Sequence, residues 1–114
     1  MSATAQAAVN EARKHFGVQY LYGGADPKEG FDCSGLVYYC YGCVGVNLPR
    51  TTGGQIKAGT AVSQNNLQVG DLVFPSNGHV GLYTGNGNFI HAPQSGDVVK
   101  EVKLYGFFAG RRVA

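Results

Sequence analysis

The chain has 114 residues, enough for one domain with a buried core. Its formal net charge of +2 and lack of a dense Lys/Arg stripe exclude a nucleic-acid binder of the usual basic kind. Three cysteines, an odd count with no framework spacing, exclude a disulfide scaffold, and no apolar stretch reaches the length of a membrane span.

Ala5, Ala8, Val9, Ala12 and Phe16 recur at helical spacing, with Ser2 or Thr4 as cap and Gly17 as stop. No basic leader followed by an apolar run precedes this helix, so no secretory signal is read here. His15, at the helix end, is expected at the surface. Residues 17–31 are Gly-rich with Pro27 and read as a shaped loop. Leu36, Val37, Cys40, Cys43 and Val44 define the apolar face of a second helix over Cys33–Val44, ended by Gly45. A short third helix follows Pro49-Arg50-Thr51 and reaches about Ala58. Beyond Gly59 come short runs separated by Gly, Asn and Pro: 71–74, 79–83, 88–91, 98–102 and 107–113. These predict antiparallel strands, the clearest hairpin turning at Thr84-Gly85-Asn86-Gly87. Helices first and then a strand meander is an α+β pattern, with helices packed on a C-terminal antiparallel sheet.

The string FDCSGL carries the chemistry. Asp32 stands where a helix cap stands, and Cys33 where the first free amides point. The positive end of the helix dipole favours a thiolate there, and a nearby imidazolium lowers a thiol pKa further. The same amides can receive the oxyanion of a tetrahedral intermediate. His79 is expected to open one strand of the hairpin and His91 to close the other, so the two can meet across it. One thiol and two imidazoles make a nucleophile, a base and an orienting group, which points to acyl transfer.

Other readings compete. Cys40 and Cys43 form a C-x-x-C, but no second pair completes a zinc site, and the motif lies late in a helix on its apolar face. Both are expected in the core. Asp71 in GDLVF reads as a turn residue before a strand and Arg50 as a loop anchor. Among Tyr38, Tyr39 and Tyr41, at least one is expected to pack. A Cys-His amidase or acyltransferase, a catalytically silent binding module, and a redox or metal protein using Cys40 and Cys43 remain as alternatives.

The strings YLYGG, FDCSGL, LPRTT, GDLVF, GHVGLYTGNGNFIHAP and FFAGRRV run in one order over nearly the whole chain. In this the chain resembles the NlpC-type cell-wall endopeptidases, papain-like cysteine peptidases that cut peptidoglycan stem peptides. The resemblance implies a papain-like α+β fold over 1–114, with Cys33 as nucleophile, His79 as general base and His91 as the third polar residue. It implies that Tyr20, Asp32 and Ser34 hold the free amino group of a stem peptide, and that the bond between D-γ-glutamate and the next diamino acid is cut. No metal or other cofactor is implied. The expected partner is the peptidoglycan stem peptide, met by a monomer acting at the cell wall outside the cell.

Overall fold

A computed structural model describes residues 2–114. The first helix, α1 (Ala3–Arg13), is capped by Ser2, whose hydroxyl accepts the Ala5 N–H at 3.2 Å. Its buried stripe is Ala5, Ala8, Val9 and Ala12, small side chains that let α1 lie close against the second helix. The helix stops earlier than the apolar spacing suggested. Residues 14 and 15 close i→i−3 turns, Gly17 takes φ +87°, and Phe16 ends up exposed. His15 is not a surface residue: its ring sits edge-on to Phe31 and Tyr39 and bonds Glu11 at 2.8 Å.

The loop over 17–31 contains a two-residue ribbon, β1 (Ala25–Asp26) against β2 (Gly30–Phe31). It leads into α2 (Cys33–Cys43), capped by Asp32, whose Oδ1 accepts the Gly35 N–H at 2.7 Å. Gly35 is required there by packing. A Cβ on it would overlap the carbonyl oxygen of Gly24, so the loop can close over the start of α2 only at glycine. Leu36, Val37, Cys40 and Tyr41 of α2 are fully buried, and Tyr41 donates its hydroxyl to the Gly70 carbonyl. Tyr41 and Tyr39 therefore pack, while Tyr38 is exposed. Cys43 departs from the expected core position. It is the last residue of α2 and lies exposed in a surface groove with Tyr39 and Val46.

The third helix, α3, is a single turn (Thr52–Gln55) capped by Thr51, and i→i−3 bonds carry the chain on to Ala58. The sheet follows, with β3 (Thr60–Ala61), β4 (Leu72–Phe74), β5 (Gly81–Gly85), β6 (Asn88–His91), β7 (Lys100–Lys103) and β8 (Ala109–Arg112). A short 3₁₀ turn, Gln64–Asn66, joins β3 to β4. Its order is β3-β8-β4-β5-β6-β7, and every pairing is antiparallel. The α+β arrangement is as expected. Edge strand β3 is additional, and the strands expected at 98–102 and 107–113 are shorter. Asp71 ends a turn as expected. It is also buried and ion-paired through both carboxylate oxygens to Arg112 of β8, at 2.9 and 2.8 Å. Leu72, Phe74, Leu82 and Ile90 of the sheet meet Val9, Leu36 and Tyr41 in one core. This packs α2 against β5 and sets its first residue, Cys33, beside Gly78 in the β4–β5 connection.

Candidate active site

Cys33 is the first residue of α2 and is half-buried. Its sulfur lies 3.9 Å from the Gly78 carbonyl oxygen, and the Val80 backbone N–H also faces it. The thiol is thus held by the residues on either side of His79. His79 does not open a strand, as expected from the sequence, because β5 begins only at Gly81. A turn closed by His79 N–H on Ser76, with Gly78 at φ +87°, sets the imidazole on a loop ahead of the sheet. His91 does close β6. The rings meet, with His79 Nε2 2.8 Å from His91 Nδ1.

That bond assigns the nitrogens. A base acting through His79 Nδ1 carries its proton on Nε2, which donates to His91 Nδ1. His91 must then be neutral, and burial pushes its pKa down to about 4, with the charges of His79 and Lys100 adding to the effect. Burial also lowers His79.

The thiol departs from expectation. Burial pushes Cys33 up, and the Asp32 charge adds to this. The Val80, Ser34 and Cys33 backbone amides oppose it without prevailing. Both directions, the thiol raised and the imidazole lowered, favour a neutral pair over a preformed ion pair. The amides that face the sulfur can equally face an oxyanion.

Beside the thiol is a cleft of about 500 Å³ that includes Tyr20, Tyr22, Asp32, Cys33, Ser34 and Arg50 in its lining. The structure therefore brings Tyr20, Asp32 and Ser34 to the same cleft as Cys33. Burial raises the Tyr20 hydroxyl, and the neighbouring Cys33 and Asp32 add to the shift, so Tyr20 remains a donor. The Asp32 carboxylate is not left waiting for a cation. Arg50 grips it with a two-pronged contact, each nitrogen 3.1 Å from one oxygen, and also donates to Ser34 Oγ and the Gly24 carbonyl. Gly23 N–H adds a bond to Oδ2 at 2.9 Å. Arg50 is the loop anchor expected of it, and it anchors the cleft as well.

Two contributors were not singled out from the sequence. Gln55 is fully buried and donates to the carbonyls of Ser34 and Pro49, tying the start of α2 to the Arg50 loop. Its only sequence signal is a polar residue after two glycines. Tyr105 stands against His91 with ring centroids 6.2 Å apart, and burial raises its hydroxyl pKa, with Cys33 adding to the shift. An exposed Tyr after a Lys-rich strand carries no signal of that kind. Among the described residues, no group of three or more His, Cys, Asp or Glu side chains converges as a metal site, and Cys40 and Cys43 gain no further ligand.

The NlpC/P60 family model matches residues 17–113, which span every residue of this site. The chain belongs to the NlpC/P60 family. It is 41% identical to the gamma-DL-glutamyl hydrolase of Bacillus subtilis over 93% of its own length and 29% of that protein. It is 38% identical to the murein DD-endopeptidase MepH of Escherichia coli, over 85% of this chain and 39% of MepH. The chain thus spans well under half the length of these curated relatives. The crystal structure of the NlpC/p60 domain of the peptidoglycan hydrolase SagA superposes with a TM-score of 0.89 at 37% identity. That match covers 96% of this chain and 98% of the other. Among the described residues of this NlpC/P60 domain, no helix is long and apolar enough to cross a membrane.

The three thiols differ enough for a labelling test. Cys40 is buried, and burial pushes its pKa strongly up, so it should resist iodoacetamide in the folded protein. Cys43, expected in the core, is exposed and should be open to the reagent. Cys33 should react through its imidazole. His79→Ala is therefore expected to slow Cys33 labelling and leave Cys43 unchanged, as read by peptide mapping after brief labelling. Equal slowing at both positions would count against an activated thiol at Cys33.

Proposed function

We propose that this domain is a cysteine endopeptidase that hydrolyses peptidoglycan stem peptides at the cell wall, through an acyl-enzyme on Cys33. The observation that carries this is the held thiol at the start of α2, flanked by Gly78 and Val80, beside the 2.8 Å His79–His91 pair. His79 Nδ1 takes the thiol proton as sulfur attacks the scissile carbonyl. The Cys33, Ser34 and Val80 amides are the available donors to the oxyanion. The imidazolium, steadied by neutral His91, returns the proton to the leaving amine. Water, deprotonated by the same nitrogen, then attacks the thioester and releases the acid and the free thiol. His91 acts as a positioning residue throughout.

The bond proposed is the one between D-γ-glutamate and the following diamino acid, in a stem whose L-alanine amine is free. The name of the Bacillus subtilis relative, a gamma-DL-glutamyl hydrolase, supports a γ-glutamyl carbonyl as the acyl group. Tyr20, Asp32 and Ser34 supply the polar wall for the amine.

Muropeptides digested with the purified domain and resolved by mass spectrometry test this. The expected products are L-Ala-D-γ-Glu dipeptide and a stem remnant that begins with the diamino acid. A cut between alanine and glutamate, at the lactyl amide, or at a D,D cross-link would reject the assigned bond. Transfer of the acyl group to an amine in place of water would identify an acyltransferase.

A further inference from the structure

A second cleft, of about 400 Å³, opens on the histidine side of the site, and its lining includes His79, His91, Gln94, Asp97, Lys100 and Tyr105. Gly78 lines the first cleft and His79 the second, so the two adjoin at that step of the chain. Their chemistry differs. The thiol that would hold the acyl group lines the first. The imidazole that would protonate the leaving amine lines the second.

The wall of the second cleft carries Asp97, Lys100 and Lys103, and of these Asp97 and Lys100 are ion-paired. The β6–β7 register sets Lys100 directly across from His91, and residues directly opposite on antiparallel strands share a face. Lys100 Nζ lies 2.9 Å from Asp97 Oδ1, with the two side chains 43% and 28% exposed. Asp97 Oδ1 also accepts the Val98 N–H at 2.8 Å, which aims the carboxylate. An ammonium and a carboxylate side by side match a ligand group that carries the same two charges in the opposite order. A ligand end with an ammonium alone gains Asp97 but meets Lys100 as a like charge.

We infer that this cleft seats the leaving half of the substrate, and that Lys100 and Asp97 select a leaving diamino acid whose distal end is a zwitterionic amino acid centre over one that ends in an ammonium alone. This rests on the endopeptidase function proposed above and names the specificity of that same site. The contacts are made before the leaving group departs, so they act on acylation and are read in kcat/KM.

Three substrates with a common acyl half test it: L-alanyl-γ-D-glutamyl joined to meso-diaminopimelate, to L-lysine, or to p-nitroaniline. The anilide lacks a charged leaving group and is the reference for each enzyme. The protein should favour the diaminopimelate peptide over the lysine peptide by about fivefold, the upper range for a partly exposed charge pair. The gap should shrink as ionic strength rises to about 0.5 M. Relative to the anilide, Lys100→Gln should bring the two peptides within about twofold of each other, and Lys100→Glu should turn the preference toward lysine. Lys57→Glu makes the same charge change on another cleft of the domain and should keep the gap, which separates a local contact from overall charge. Equal cleavage of both peptides, or a gap that survives Lys100→Gln, overturns the inference while leaving the proposed function standing. If the anilide and both peptides all resist cleavage, the proposed function fails and this inference fails with it.

Discussion

His79→Ala should lower kcat/KM on a free-amine stem peptide by about 10²–10⁴-fold, the span a positioned general acid–base group contributes. The side chain is tied into the fold by one hydrogen bond, to His91, so the loss should be chemical rather than structural. Thermal unfolding of the variant checks that. His91→Gln is a milder change. A glutamine oxygen can still accept the proton on His79 Nε2, which preserves the tautomer and costs only alignment, about ten- to hundredfold. His91→Ala removes the acceptor, frees the ring to turn over, and should cost about 10³-fold or more. If folded His91→Gln is as inactive as His79→Ala, the assigned roles are wrong or reversed. The pH profile supplies a second readout. His79 is lowered from its ordinary 6.5, so it stays an unprotonated base into mildly acidic solution, and the acid limb of kcat/KM should fall below pH 6.5. Cys33 is raised above 9.0, so the thiol persists, and the alkaline limb should lie above pH 9. The two limbs belong to the interacting pair. An alkaline limb near neutrality would signal a preformed thiolate–imidazolium pair instead.

Acetylating the alanine amine of the stem peptide should lower kcat/KM by about tenfold. A charge-assisted contact is worth about 1.5–3 kcal/mol, and about 1.4 kcal/mol is a factor of ten. The lower end applies because Asp32 is already neutralised by Arg50, so acetylation does not strand a bare carboxylate. The same pairing makes Arg50 the informative position. Arg50→Gln removes the resident cation and leaves Asp32 seeking another, so it should widen the gap between free and acetylated peptides even as absolute rates fall. Asp32→Asn should narrow the gap. It should also lower stability, since the guanidinium loses its partner, although asparagine can still cap α2. Matched synthetic peptides read by chromatography and mass give both ratios. A gap unmoved by either substitution would place the amine elsewhere than beside Asp32.

Much of the architecture was written locally. The Ala/Val spacing of α1, the FDCSGL start of α2 and the Gly-Asn-Gly turn between β5 and β6 act through contacts a few residues apart, and these elements lie near where their sequences put them. The residues proposed for the site were equally readable as candidates, and the structure brings His79 to His91 and Cys33 to the cleft of Tyr20, Asp32 and Ser34. The misplacements fell where long-range packing overrides local pattern. His79 sits in an apolar, strand-like run, yet the turn at Ser76–Gly78 holds it out of the ladder. Cys43 keeps helical phase with Cys40, yet α2 ends there, at the protein surface.

By itself, the sequence determined most of the elements and pointed to the groups proposed for the chemistry, because caps, turns and hydrophobic periodicity are short-range. Only the tertiary structure decided the state and company of those groups. It claimed the Asp32 carboxylate for Arg50, tied Gln55 to the Ser34 and Pro49 carbonyls, and brought Lys100 and Tyr105 to the cleft on the histidine side. It also reversed the expected sign of the thiol shift. A cap and a helix dipole can be read from neighbouring residues. Desolvation depends on what the rest of the chain packs around the sulfur, and that burial outweighs the amides that would favour a thiolate.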